Sequence, residues 1–91
     1  MVKNIAVILS GCGHMDGAEI RESVITLLEL DRNGAKYEIF APNIDQMDVI
    51  NHLTKKTMNE KRNVLVEAAR IARGDISDLK LLDSSKFDGL I

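Results

Sequence analysis

The stretch Ile5-Ala6-Val7-Ile8-Leu9-Ser10-Gly11-Cys12-Gly13-His14-Met15-Asp16-Gly17-Ala18-Glu19-Ile20-Arg21-Glu22 constrains the fold more than any other part of this chain. Ile5 to Leu9 is an unbroken apolar run closed by Ser-Gly-Cys-Gly. A run so short, bounded so sharply, predicts a strand buried on both faces, as in a parallel sheet. Asp16-Gly17-Ala18-Glu19 has the spacing of a capping box with Asp in the first place, so a helix is expected over residues 17–33. Ile20, Val24, Leu27 and Leu28 recur at helical spacing and predict its buried face. Asn33-Gly34 closes it, because glycine accepts the left-handed conformation a helix end requires. Tyr37 to Ala41, stopped by Pro42, reads as a second strand over residues 36–41. Strand, helix and strand with short links make a right-handed βαβ unit. In such sheets ligands bind outside the carboxyl ends of the strands, where the glycine turn lies.

The remainder is less regular. Asn43 to Met58 has apolar residues without a clean period and is expected to be loop with one short strand. Thr57-Met58-Asn59-Glu60 has capping-box spacing, which predicts a second helix over residues 60–73 with Val64, Leu65, Ala68, Ala69, Ile71 and Ala72 on its buried side. Arg70 and Arg73 suit its negative end and Gly74 closes it. Ile76 to Leu82 holds room for a short strand, and residues 87–91 read as the opening of another. The first strand is drawn over residues 2–9. Leu90 and Ile91 look like the start of a buried strand without a polar tail, so the expectation is that the fold continues past this chain.

Ninety-one residues allow a single domain. Its only aromatic residues are Tyr37, Phe40 and Phe87, which predicts an aliphatic core and leaves no platform for stacking bases. A net charge of −2 with the signs interleaved forms no basic footprint for nucleic acid. No apolar run is long enough to cross a bilayer. One cysteine allows no internal disulfide, which makes a reducing cytoplasm the default location.

Gly11-Cys12-Gly13 has two readings. It is a tight turn that needs glycine geometry, or a set of backbone N–H groups facing an anion or a developing oxyanion. A dinucleotide fingerprint would need glycine at position 16, which is Asp16, and no P-loop spacing is present. Cys12 and His14 are neighbours in sequence, but a reactive thiol also needs a cationic setting, so Cys12 reads as a small turn residue near the site. His14 and His52 are too few and too distant in sequence to suggest a metal centre. Glu19 is assigned to the helix cap. Glu22, from periodicity alone, is an exposed glutamate opposite the Ile20/Val24 stripe.

Val7-Ile8-Leu9-Ser10-Gly11-Cys12-Gly13, Asp16-Gly17-x-Glu19, Phe40-Ala41-Pro42, Asp48-Val49-Ile50-Asn51-His52, Arg62-Asn63-Val64-Leu65 and Glu67-Ala68-Ala69-Arg70-Ile71-Ala72-Arg73-Gly74 occur in the order found in one family. Through them the chain resembles the N-terminal portion of the ElbB, or sigma cross-reacting protein, branch of the ThiJ/PfpI superfamily. The resemblance implies a flavodoxin-like, class I glutamine amidotransferase-like α/β sandwich with a parallel sheet, and a homodimer. It also implies cofactor-free glyoxalase chemistry, in which glyoxal or methylglyoxal becomes a hydroxy acid. No metal, flavin or nucleotide is implied. The family nucleophile is a cysteine on a strand-to-helix elbow that falls outside these residues, so the 91-residue chain by itself is expected to be inactive. Glu22 aligns without gaps on the superfamily's catalytic glutamate, with Gly11, Cys12 and Gly13 beside it as the pocket. Two other functions stay open: a non-catalytic regulatory or interaction protein linked to isoprenoid biosynthesis, and an amidotransferase-type hydrolase.

Overall fold

The apolar run forms the middle of a parallel sheet, because only a central strand can bury alternate side chains on both faces. In a computed structural model that describes residues 1–91, strand β1 (Asn4–Ile8) pairs in parallel with β2 (Lys36–Ala41) on one side and with β6 (Gly89–Leu90) on the other. A short strand β5 (Ser77–Asp78) adds to the far side of β2, so the order is β5-β2-β1-β6, all parallel. Ala6, Val7 and Leu9 are buried, and successive residues serve opposite faces of the sheet.

Both helices lie on the face that carries Val7, Leu9, Ile39 and Ala41. Helix α2 (Val64–Ala72) completes that core with Val64, Ala68 and Ala72, and Leu27 and Leu30 of helix α1 (Ile20–Arg32) pack beside them. The link from β5 to β6 must pass from one sheet edge to the other. It sets Phe87 edge-on against Phe40, with ring centroids 5.8 Å apart, on the opposite face. Residues 43–58 hold a small antiparallel hairpin instead of one strand, β3 (Ile50–Asn51) with β4 (Lys56–Thr57).

Four expectations need correction. Helix α1 begins at Ile20, not at residue 17, and its cap is Glu19, whose carboxylate accepts from the Glu22 N–H at 2.9 Å. Asp16 does not cap it, because its carboxylate is engaged elsewhere. Helix α2 begins at Val64, not at residue 60. Asn63 is the cap and accepts from the Val66 N–H at 2.9 Å, while Thr57 is paired in the hairpin. The strands at residues 2–9 and 87–91 shorten to 4–8 and 89–90, although backbone bonds from Ile91 N–H to Ala6 and from Ile8 N–H to Ile91 extend the second pairing. Finally, the stripe Ile20/Val24/Leu28 points outward, each residue about half exposed. The side of α1 turned inward is Ser23, Leu27 and Leu30. The buried Ser23 hydroxyl donates to the Glu19 carbonyl at 2.7 Å, which removes the cost of placing a polar group there. Helix α1 is therefore apolar on two sides, and only packing selects which is covered.

Candidate functional site

Residues 10–19 close on themselves at the carboxyl end of β1. Ala18 N–H donates to Ser10 at 2.6 Å, Gly13 N–H to Ala18 at 3.0 Å and Ile20 N–H to Gly13 at 3.1 Å. Gly11 takes φ +74°, and a Cβ on Gly17 would stand 2.8 Å from the Cys12 nitrogen, so both positions require glycine. β1 has β2 on one side and β6 on the other, so the chain reverses its direction of travel across the sheet at this strand. That is the switch point beside which open α/β sheets bind ligands.

An open cleft of about 800 Å³ lies there. Its walls come from four places: the turn (Cys12, Gly13, His14, Asp16), the cap and first turn of α1 (Glu19, Arg21, Glu22), the hairpin (Ile50, His52) and the region of α2 (Arg62, Glu67, Arg70). Glu22, Cys12 and Gly13 are thus brought together, as the sequence leads one to expect. Gly11 is buried beneath the turn and does not border the cleft. Gly13 borders it, but its N–H is spent on Ala18, so it cannot serve an oxyanion. Among the backbone donors of Gly11-Cys12-Gly13 that border the cleft, only the Cys12 N–H has no acceptor within the chain.

The Cys12 thiol is pushed above its ordinary pKa, chiefly by burial. Arg70 opposes this, and the carboxylates of Glu67 and Asp16 add to it. A thiol held in its protonated form is a poor nucleophile. Glu19 is pulled below the usual glutamate value, first by the hydrogen bond from the Glu22 N–H. That is the signature of a cap, and it leaves Glu22 as the carboxylate of the first turn without a capping duty.

Several residues of the site were not singled out from sequence. Asp16 looked like a helix cap. Its side chain is only 7% exposed; one oxygen accepts from the Ile50 N–H at 2.7 Å, and the other has no hydrogen-bond partner in the chain and lies 3.5 Å from His52 Nε2. His52 Nδ1 is 3.0 Å from the Ile50 carbonyl, so it is the ring nitrogen placed to carry a proton there. The rings of His14 and His52, 38 positions apart in sequence (52 − 14), stand 6.3 Å apart in space. Glu67 is buried in α2, where its Oε1 accepts from Arg62 Nη1 at 3.3 Å and lies 3.4 Å from Arg70 Nε. The available signal was a carboxylate at an i+3 position of the Val64/Ala68/Ile71 stripe, since a charge there must find partners.

No protein-family model matches the chain. Known proteins do. A solved structure described as an isoprenoid biosynthesis protein with amidotransferase-like domain, from Ehrlichia chaffeensis, superposes with a TM-score of 0.94 at 53% identity. It covers 96% of this chain and 41% of its own. The human glutamine amidotransferase-like class 1 domain-containing protein 3, mitochondrial, is 49% identical over 88 residues, which is 96% of this chain and 33% of that protein. This chain is homologous to the class I glutamine amidotransferase-like proteins. The zebrafish ES1 protein, mitochondrial, is 43% identical over 93 residues, or 97% of this chain and 34% of that protein. The chain spans about a third of the length of the curated relatives it matches. With the parallel sheet in place, the chain has the α/β fold of the part of that amidotransferase-like structure it matches.

Proposed function

We propose that these 91 residues supply the acid–base side of a cofactor-free glyoxalase-type site, completed by a cysteine that is not among them. One observation carries this reading: Glu22 stands free of capping duty in the first turn of α1, on the wall of a cleft at the switch point of the sheet. In the proposed reaction a thiolate adds to the aldehyde carbon and gives a hemithioacetal. Glu22 removes the proton from that carbon and returns it to the neighbouring carbon. The resulting thioester is hydrolysed by water, which releases the hydroxy acid and regenerates the thiol. Cys12 is a poor candidate for this thiolate because burial keeps it protonated. The substrate class is small aldehydes, the assembly a homodimer, and the location the cytoplasm. The description of the Ehrlichia relative favours a second reading, a role in isoprenoid biosynthesis.

The test is methylglyoxal consumption by two proteins, the 91-residue chain and the product of the gene read past codon 91. The first should match a no-protein blank and the second should turn over. Turnover by the short chain that disappears in Cys12→Ala would overturn the reading and make Cys12 the nucleophile. In the longer product, Glu22→Gln should lower the rate by about 10²–10⁴-fold, the usual contribution of a positioned acid–base group.

A further inference from the structure

We infer that Asp16 and His52 form a proton-operated latch, closed by the imidazolium form of His52, that fastens the hairpin wall of the cleft to the glycine turn. The inference stands on the geometry of the His52 ring and does not depend on the glyoxalase reading. Both ring nitrogens face acceptors. Nδ1 lies 3.0 Å from the Ile50 carbonyl oxygen, and Nε2 lies 3.5 Å from Asp16 Oδ1. A neutral imidazole has one N–H and one bare nitrogen, so either neutral tautomer sets a lone pair against an oxygen. Only the imidazolium donates toward both.

Asp16 is the residue that makes this choice matter. Its side chain is 7% exposed, and Oδ1 is closed to solvent, so water does not supply the donor that oxygen lacks. The His52 side chain is 41% exposed, so it can take a proton from solvent and present it to the buried oxygen. The other carboxylate oxygen, Oδ2, accepts from the Ile50 N–H at 2.7 Å. Asp16, Ile50 and His52 therefore form a ring of contacts: Ile50 N–H to Oδ2, His52 Nδ1–H to the Ile50 carbonyl, and His52 Nε2 to Oδ1. The last link gains its hydrogen only when His52 is charged. Asp16 lies in the turn after β1, while Ile50 and His52 belong to the hairpin, so closing the ring holds two walls of the cleft together.

Other charged groups surround His52 without replacing Asp16. From the turn, the His14 ring stands 6.3 Å away, centroid to centroid, and a proton on it opposes closure. Glu19, Arg21 and Glu22 of α1 line the same cleft, as do Arg62, Glu67 and Arg70 of the α2 region, where Glu67 is flanked by both arginines. On the hairpin side, Asp48, Lys55 and Lys56 are exposed, and water screens their charges. The latch needs Asp16 ionised and His52 protonated. It is closed on the acid side of the range in which histidine titrates and loosens as pH rises through that range. It opens again below about pH 4, where carboxylates take up protons.

The experiment is hydrogen exchange of the Ile50 amide in the ¹⁵N-labelled chain, expressed as protection relative to the intrinsic rate at each pH. The β1 amides serve as the reference for global opening. Protection of Ile50 relative to β1 should be about three- to tenfold greater at about pH 5.5 than at about pH 8.5. His52→Gln should make it independent of pH, because an amide side chain does not change its protons over that range. Asp16→Asn should lower protection at both pH values and also remove the pH dependence. His14→Gln should keep the pH dependence or enlarge it, since one opposing charge is gone. Equal protection of wild type at the two pH values would overturn the latch, and so would a pH dependence that survives in His52→Gln. Its loss in His14→Gln with retention in His52→Gln would assign the proton to the other histidine. Should Asp16→Asn fail to fold, His52→Gln changes a partly exposed side chain and decides the matter alone.

Discussion

Two glutamates three positions apart, Glu19 and Glu22, do different work because the helix begins between them. Glu19 sits in extended backbone before the first helical residue, where its carboxylate can turn back to the Glu22 N–H. Because the folded state holds its pKa below the usual value, Glu19 stabilises the fold wherever it is ionised in both states, above the ordinary glutamate range. That stabilisation is lost as pH falls through the lowered folded-state pKa. Glu19→Gln should therefore lower the melting temperature at neutral pH, and the gap from wild type should close in acid, below about pH 4. Melting curves across that range decide it, and a gap that persists unchanged in acid would show that the charge on Glu19 is not what stabilises the cap. A loss of turnover in Glu19→Gln greater than that in Glu22→Gln would exchange the two roles.

At the scale of elements, both helices start later than the capping-box spacing indicates, and for one reason. A capping box is a local preference worth about 1 kcal/mol, and tertiary pairing of the same residue, through its side chain or its backbone, competes with it on equal terms. Asp16 meets the Ile50 N–H, and Thr57 joins the hairpin. Asn63 takes over the second cap, and its amide also donates to Asn43 Oδ1 at 2.7 Å, which ties α2 to the loop after β2. Asn63→Ala should cost about 1 kcal/mol in urea unfolding. Thr57→Ala, which a true cap at residue 57 would make equally damaging, should change little. Equal losses in the two variants would restore the earlier start of the helix.

Over the whole molecule, stability concentrates where β1 is paired on both sides and covered on both faces. Ala6 and Ala41 are fully buried, and Val7 is nearly so. In native-state hydrogen exchange the amides of β1 and β2 should be the slowest, and those of the exposed β4 side of the hairpin among the fastest. Uniform exchange across β1 and the hairpin would contradict this picture of the core. The two-sided strand, the helix behind it, the parallel second strand and the glycine turn were all legible in order along the chain. The reason is that the length of an apolar run, its periodicity and the need for glycine are set by residues within a few positions of one another. Which side of α1 is covered was not legible. Ile20/Val24/Leu28 and Ser23/Leu27/Leu30 both run along the helix, and only the sheet and α2 choose between them. The site divides in the same way. Glu22, Cys12 and Gly13 came from one continuous segment and a family likeness. Asp16 beside His52, and Glu67 between Arg62 and Arg70, depend on folding distant segments onto one cleft, and a buried charge shows its partners only once burial forces it to find them.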